Sequence, residues 1–328
     1  MDMTLRQALE GLEGVRLLRA MGEDEDFQFY SESPTSAEDA ELVEGDGFCC
    51  KKVPSVSTTA FTHFLDGAQR TRCAFFYKWE PAYLAFINAG ILRREGREMF
   101  AEEDRYSEML SVFASDREEV RARLEGKGPW EYTGISLDEG VGINGMLEGI
   151  QTAVSTVRDR MERELALTWL GGGSAGDRWL LVDGGIASLS AEFGGFRPVV
   201  GVVKTHRRQY FRCMERAQVI ADLRVGERTS VFEVRLGSWR DRAYSWYLRL
   251  HEGHMESPLF GLVRVEMPAD PETLRYVDEV SSWLLTERFP LSFPDSRYDR
   301  LLYPIRRVEM YLRSRQPSDI ALCGLIGI

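Results

Sequence analysis

The sequence predicts a mixed α/β fold, in which helices flank one β-sheet, preceded by an acidic N-terminal arm. Three runs rich in aromatic and β-branched residues follow one another closely at 57–65, 72–79 and 83–91, which predicts a three-stranded meander. A segment at 142–170 has helical periodicity, and strand-like and helix-like segments alternate from there to the C-terminus. Hairpin strands followed by alternating elements are typical of a mixed sheet covered by helices.

The first 50 residues are predicted to lie outside the main domain. Residues 4–20 place leucines on one side of a short helix. From Glu23 to Asp46 the chain has many acids and neither Lys nor Arg, a composition that indicates a solvated arm. We therefore assign residues 1–50 to an N-terminal helix and acidic arm, and residues 51–328 to one α/β domain.

The remaining elements are assigned from periodicity and turn residues. A polar helix is predicted at about 102–126. The helix at 142–170 is expected to bury a stripe made of Ile150, Val154, Val157, Met161, Leu165 and Thr168. Further strands are predicted at 178–183, 198–204, 230–236, 243–250 and 259–266, and further helices at 208–222, 271–286 and 301–315.

Composition narrows the class of protein. Of the 328 residues, 44% are hydrophobic and 28% charged, and the net charge is −11, which argues against a protein that passively coats DNA. No stretch approaches the roughly 20 apolar residues that cross a bilayer, and the N-terminus lacks a signal-peptide profile. We therefore expect a cytoplasmic protein with no membrane partner. Basic residues are nevertheless concentrated at Lys204 to Arg216 and Arg297 to Arg315, where a local surface could bind phosphates.

Two apolar runs that end in Asp-Gly carry the strongest chemical signal. One ends at Asp66-Gly67 and the other at Asp183-Gly184. A buried strand that stops at an acid presents that carboxylate at its end, and the glycine lets the chain turn there and lets a ligand approach. An Asp-Gly pair is also common where an aspartate simply starts a turn. Two such carboxylates side by side in one sheet could hold a divalent cation.

The order of these motifs resembles the ribonuclease H-like nuclease fold, and more narrowly the NurA family of DNA-end-processing nucleases. Phe64-Leu65-Asp66-Gly67-Ala68 is similar to the family's first strand, and Leu181-Val182-Asp183-Gly184-Gly185 to its later Asp-Gly strand. Val199 to Thr205 resembles the family's strand ending in Lys, and Leu302-Tyr303-Pro304-Ile305 its Tyr-Pro helix start. The resemblance spans roughly residues 60–315.

The resemblance also implies a glutamate from the 142–170 helix. Glu162 and Glu164 are the candidates. With about 100° per residue, Glu164 lies nearer Met161 at the centre of the predicted stripe, whereas the local pattern Met-Glu-Arg looks more like the family's at Glu162. Either could instead be a surface glutamate paired with Arg158 or Arg160. The choice stays open.

The resemblance implies two-metal hydrolysis of DNA from 5′ to 3′, with Asp66, Asp183 and a helix glutamate as catalytic and metal-binding residues and Mn²⁺ or Mg²⁺ as the ion. It also implies a homodimer and a partner ATPase of the HerA translocase type. The residues expected to contact DNA phosphates are Lys204, Arg207, Arg208, Arg264 and Tyr303. Lys204 and Arg264 could alternatively form surface or interstrand ion pairs, Arg264 with Glu266 or another acid.

Two positions depart from the family pattern. Ala68 stands where a serine is expected, and Glu309, Met310 and Tyr311 occupy the neighbourhood of the family's C-terminal histidine. These departures motivate an alternative function: a catalytically silent member of the fold that acts as an adaptor subunit of a translocase complex. A third alternative is an RNA-directed nuclease of the same fold.

Overall fold

The computed structural model describes residues 3–17, 40–136, 140–172, 178–190, 192, 195–205, 210–235, 241–252, 258–288 and 300–328. The strands, in chain order, are β1 (Val15–Leu17), β2 (Cys50–Lys52), β3 (Phe61–Tyr77), β4 (Glu80–Glu95), β5 (Glu98–Ser115), β6 (Glu131–Ile135), β7 (Trp179–Asp183), β8 (Val199–Val203), β9 (Glu227–Thr229), β10 (Phe232–Arg235), β11 (Arg242–Arg249) and β12 (Leu262–Pro268).

The helices are α1 (Leu5–Ala8), α2 (Glu118–Leu124), α3 (Ile143–Gly171), α4 (Ala187–Ser190), α5 (Met214–Ala221), α6 (Val277–Glu287), α7 (Tyr303–Arg315) and α8 (Asp319–Ile326), with a 3-10 turn at Pro271–Arg275. No described helix combines the length and the apolar composition that a membrane-spanning helix needs.

The described strands form one mixed sheet in the order β2-β9-β11-β12-β8-β7-β3-β4-β5-β6, with β1 paired to β3 and β10 to β11. The pairs β3–β4 and β4–β5 are antiparallel, as a meander requires. By contrast, β3–β7 and β7–β8 are parallel. Strand β3 therefore lies between its antiparallel partner β4 and its parallel partner β7, an order that agrees with the predicted ribonuclease H-like fold. The predicted fold class, a mixed sheet flanked by helices, is confirmed.

Alternating residues of the central strands face two different cores. On one face Phe64 and Leu181 pack with apolar residues of α6 and α7. On the other face Leu65 and Val182 pack against the long helix α3. Strands β7 and β8 are consequently apolar along almost their whole length, because both of their faces are covered, whereas β3 becomes polar beyond Leu65.

The meander is made of β3, β4 and β5 rather than of the three predicted runs. The prediction of separate strands at 57–65 and 72–79 is wrong, because most of both runs lies in the single strand β3, while the run at 83–91 lies inside β4. The predicted polar helix at 102–126 is wrong, because most of it forms β5 and only its end forms α2. Pairing with β4 on one side and β6 on the other outweighs the helical preference of the Glu-rich part of β5.

The N-terminal helix is also shorter than predicted. It ends at Ala8, since Gly11 and Gly14 adopt left-handed backbone conformations, with φ of 75° and 88°. The chain then returns as β1, which pairs with β3. Residues 18–39 of the predicted acidic arm lie outside the described residues.

Candidate metal centre

The two predicted aspartates end up next to each other. Strands β3 and β7 run parallel with Leu65 beside Val182, so the residues that follow, Asp66 and Asp183, are also neighbours. Asp66 is only 8% exposed, and the backbone N–H of Gly67 donates to its Oδ1 at 2.8 Å. Two carboxylates that are distant in the sequence are therefore placed together at one point of the sheet.

The side chain of Asp66 shares the α7 face of the sheet with Phe64. Strand alternation requires this, and Gly90, the partner of Asp66 on β4, faces Leu312 of α7 at 3.2 Å from the position of a Cβ. Leu181, two residues before Asp183, packs in the same core as Phe64. The two aspartates consequently approach each other on one face.

Glu162 of α3 approaches the aspartates from the other face, over Gly67. A Cβ added to Gly67 would overlap Oε1 of Glu162 and would lie 2.8 Å from Cγ of Arg158. The Glu162 carboxylate also lies 3.4 Å from Nε of Arg158, one helical turn earlier. The glutamate can come this close to β3 because residue 67 has no side chain.

Glu164 is not brought to the site. Its side chain is 67% exposed, and its nearest basic partner is Arg160, at 4.0 Å. The helical-wheel argument for Glu164 assumed that Thr168 is buried, but Thr168 is exposed, while Ala166 and Trp169 are buried instead. The buried stripe of α3 is therefore rotated toward the Glu162 side.

The three carboxylates influence one another electrostatically. Burial, the neighbouring Asp183 and Glu162 all raise the pKa of Asp66, and the Lys204 ammonium opposes that rise. Burial raises the pKa of Glu162 to about 8, with Arg158 opposing and Asp183 adding to the rise. Burial and the neighbouring carboxylates thus both disfavour the ionised forms of Asp66 and Glu162.

Lys204 follows β8, the strand beside β7. Its Nζ lies 2.7 Å from both Oδ1 and Oδ2 of Asp183. The ammonium group therefore holds the carboxylate by a charge-assisted hydrogen bond to Oδ2 and an ion-pair contact with Oδ1. The structure thus brings Lys204, a predicted phosphate ligand, to the aspartates, where it forms an ion pair with Asp183.

Arg264 of β12 has a different environment. It is 7% exposed, forms an ion pair with Glu266, donates to Oγ of Ser245 at 3.3 Å and lies over the ring of Tyr210 at 4.8 Å. Glu266 in turn accepts from the backbone N–H of Ile186 at 2.7 Å. The ion pair with Glu266 that the sequence offered as an alternative is thus formed, but within the single strand β12 rather than between strands, and Arg264 is engaged in it.

The other predicted DNA contacts are placed only in part. Arg207 and Arg208 lie outside the described residues. Tyr303 is the first residue of α7 and is half exposed. In the same helix, Glu309 accepts from Arg306 at 2.7 Å and pairs with Arg313 at 2.8 Å, so its carboxylate is held between two arginines.

Arg158 is a site residue that sequence reasoning treated only as a surface partner. Its guanidinium lies beside Glu162 and reaches Oε1 of Gln69 at 3.5 Å, and Asp66 is among the groups that raise its pKa, against the effect of burial. The signal that could have identified it is its spacing, one helical turn before Glu162 on the side facing Gly67.

The donor chemistry of this cluster suits a hard divalent cation, because carboxylate oxygens are the ligands that Mg²⁺ and Mn²⁺ prefer. Burial first, and then the neighbouring Asp183, raise the pKa of Asp66, and a bound cation would favour its ionised form instead. Within the described part of the chain, however, no three His, Cys, Asp or Glu side chains converge closely enough to hold one ion. Asp66 and Asp183 are neighbours, whereas Glu162 stands on the far side of Gly67.

Comparison with known proteins bears on the same residues. No curated protein matches the chain in sequence. Among solved structures, the chain is similar to the crystal structure of the NurA nuclease from Sulfolobus solfataricus, with a TM-score of 0.46 and 11% sequence identity, over 88% of this chain and 84% of that one.

The family model of the NurA domain matches residues 176–314. This range contains Asp183, Lys204 and Tyr303, and it begins after β3 and α3, which carry Asp66 and Glu162. Over residues 176–314, the resemblance of this chain to the NurA family is therefore confirmed.

Proposed function

We propose that this protein is a metal-dependent nuclease that hydrolyses phosphodiester bonds of DNA, acting on DNA ends in the 5′-to-3′ direction. The observation that carries the proposal is the placement of Asp66 and Asp183 on adjacent parallel strands, with Glu162 at Gly67. The match to the NurA domain supports the same chemistry.

In this proposal Asp66 and Asp183 hold Mn²⁺ or Mg²⁺, and Glu162 contributes the helix carboxylate. When bound, the ions supply activation of a water molecule and stabilisation of charge at the phosphate. The chain itself orients Asp66 through the N–H of Gly67. Because the pKa of Glu162 is about 8, this group holds a proton near neutral pH in the metal-free chain and must lose it before it binds a cation.

Substrate and partners follow from the same family. Lys204 and Tyr303 would contact DNA phosphates, together with Arg207 and Arg208. The proposal includes a homodimer and a HerA-type ATPase that feeds DNA to the nuclease, since the sequence has no ATP-binding loop of its own.

The direct test is cleavage of end-labelled linear DNA by the purified protein in Mn²⁺, with Asp66→Asn and Asp183→Asn as site variants. Both variants should lose at least roughly a hundredfold in rate, because each removes a charged ligand. Asp104→Asn is the matched control, since Asp104 is 78% exposed and lies on β5. Undiminished Mn²⁺-dependent cleavage by either site variant would exclude this centre.

A second candidate function is a catalytically silent adaptor within a translocase complex. Three observations favour it: Ala68 replaces the family's serine, Glu309 is held between two arginines, and Lys204 occupies both oxygens of Asp183. Assays with and without the partner ATPase separate the two functions. An adaptor stimulates or binds the ATPase while leaving both DNA and RNA intact, whereas the proposed nuclease cleaves DNA.

A further inference from the structure

We propose that Lys204 is a built-in counter-ion that competes with the divalent cation for Asp183, so that metal binding releases the lysine toward the substrate phosphate. The inference rests on the proposed nuclease function and concerns the regulation of that site. It goes beyond a phosphate-binding role for Lys204, because it gives the lysine two alternative partners and an order in which they are used.

The first observation is the geometry of the ion pair. Nζ of Lys204 lies 2.7 Å from each carboxylate oxygen of Asp183, with side-chain exposures of 21% and 25%. A divalent cation would need oxygens of the same carboxylate at roughly 2.0–2.6 Å. The ammonium group already contacts both of these oxygens. It therefore excludes a cation from them, both by its volume and by its like charge.

The second observation is that the carboxylate cluster needs positive charge at this point. Asp66 is 8% exposed and lies beside Asp183, with Glu162 close by across Gly67. Among the described residues, Lys204 is the ammonium that contacts the aspartate pair. It therefore stabilises the cluster in the absence of metal, a role that ends when a doubly charged ion arrives.

The third observation concerns the backbone of Lys204. Arg300 donates from Nη1 to the carbonyl oxygen of Lys204 and from Nη2 to that of Leu259, each at 2.9 Å. The main chain at Lys204 is thus tied to a neighbouring loop. After release from Asp183, only the flexible four-carbon stem moves, so the ammonium stays within a side-chain length of the aspartates.

The consequence is an order of events. Without metal, the site presents a neutralised Asp183 and no available lysine, and it attracts phosphate weakly. With metal on Asp183, the lysine charge becomes available beside the bound ion, and both attract the phosphate. Binding of metal and binding of DNA are thereby coupled through one side chain.

Mn²⁺ binding to the full-length protein without DNA, measured by titration calorimetry, tests the competition. Lys204→Met should bind Mn²⁺ roughly fivefold more tightly than the wild type, because a partly exposed ion pair no longer has to be broken. Lys204→Arg, which keeps the charge and the two-point contact, should bind like the wild type. Arg160→Met is the matched control, since it removes an exposed positive charge from α3 without touching Asp183.

Release of the lysine is measured directly by the rate at which acetic anhydride acylates Lys204, followed by mass spectrometry. The rate should rise severalfold when Mn²⁺ is added to the wild type. Equal or weaker Mn²⁺ binding by Lys204→Met, or an unchanged or lower acylation rate, overturns the inference. Asp183→Asn separates the two proposals. If this variant binds Mn²⁺ like the wild type, the proposed metal centre itself fails. If Asp183→Asn loses Mn²⁺ binding but Lys204→Met binds Mn²⁺ with the wild-type affinity, only the competition is refuted.

Discussion

Gly67 controls the approach of Glu162 to the aspartates. Its Cα lies against the glutamate so closely that a Cβ would overlap Oε1 of Glu162. The sequence predicts that the glycine of the Asp-Gly motif allows a sharp turn or the close approach of a ligand. In the structure, β3 continues through Gly67 to Tyr77, and the missing side chain makes room for a carboxylate from a different element.

Gly67→Ala should therefore displace Glu162 and weaken Mn²⁺ binding by roughly tenfold or more, as changes of ligand support usually do. The added methyl group would also lie only 2.8 Å from Cγ of Arg158, one turn before Glu162 on α3. Glu162 and Arg158 therefore cannot both make room for it unless α3 moves. Calorimetric titration with Mn²⁺ measures the effect. Gly47→Ala, at an exposed position with open space around it and no positive φ, controls for the general cost of replacing a glycine; the same Mn²⁺ affinity in wild type and Gly67→Ala would contradict the assigned role.

His63 is a buried titratable residue away from the aspartates. It is 2% exposed, its Nδ1 lies 2.9 Å from Oγ1 of Thr62, and its ring is 5.0 Å from that of Trp169. It lines a polar cavity of about 270 Å³ with Arg105 and Arg178. Burial, followed by the charges of Arg178, Arg105 and Arg93, lowers the pKa of His63 to about 4.

Acid should consequently destabilise the fold through His63. Between pH 6.5 and pH 4 the unfolded chain binds a proton at this histidine and the folded chain does not, so its stabilising effect is complete above pH 6.5 and is lost as the pH falls toward 4. The wild type should lose roughly 2–3 kcal/mol more than His63→Gln between pH 7 and pH 4.5. Urea unfolding of both proteins at the two pH values gives the difference, and parallel losses would show that His63 is protonated in the folded state.

At the scale of elements, apolar strands were predictable and polar strands were not. The predictions for 178–183 and 198–204 fall within one residue of β7 and β8, because strands buried on both faces are continuously apolar. The prediction for α3 is equally close. In contrast, the strand β5 begins with Glu and Asp residues whose solvent-facing pattern has no clear period, and only its pairing with β4 makes it a strand.

The candidate site was predictable for the same reason and to the same extent. Asp66 and Asp183 each close a run of mainly apolar residues, so their positions could be inferred from local sequence; Asp183 ends β7 as predicted, but the predicted strand end at Asp66 is wrong, because β3 continues to Tyr77. The choice between Glu162 and Glu164 could not, since it depends on which edge of α3 is buried. The pairing of Lys204 with Asp183 required knowledge that β8 lies beside β7.

Arg249 shows how one side chain of a strand organises several connecting segments. It lies on β11, is 1% exposed, and donates to the backbone carbonyls of Leu223, Ala221, Pro258 and Phe260, with an additional contact to Ile220. The carbonyls of Ile220, Ala221 and Leu223 lie at or just after the end of α5, and those of Pro258 and Phe260 lie just before β12. The guanidinium thus connects the end of α5 to the segment that precedes β12.

Arg249→Met should lower the free energy of unfolding by roughly 3–5 kcal/mol, because several buried carbonyls lose their donors at about 1 kcal/mol or more each. Guanidinium unfolding at neutral pH measures the change. Arg123→Met provides the control, since Arg123 is exposed and donates a single bond to the carbonyl of Glu10; it should change stability by less than about 1 kcal/mol. Similar losses of unfolding free energy in both variants would mean that the several hydrogen bonds of Arg249 add no more stability than one ordinary hydrogen bond.

At the scale of the whole molecule, the two ends of the chain share one core. Leu5 and Leu9 near the N-terminus pack in the same apolar cluster as Leu322 and Ile326 near the C-terminus. Phe75 of β3 also belongs to that cluster, so the cluster joins both ends to the longest part of the sheet. The division into residues 1–50 and 51–328 remains a proposal, and these contacts cross it.

Leu5→Ala and Ile326→Ala test whether the ends stabilise each other. Both side chains are fully buried, so each substitution should cost roughly 2–5 kcal/mol. Because they share a cluster, the double variant should lose less than the sum of the single losses, with a coupling on the order of 0.5–3 kcal/mol. Denaturant unfolding of the wild type and the three variants completes the cycle. If the two losses add within about 0.5 kcal/mol, then Leu5 and Ile326 stabilise the fold independently, and residues 1–50 can be treated as a unit separate from the C-terminal helix.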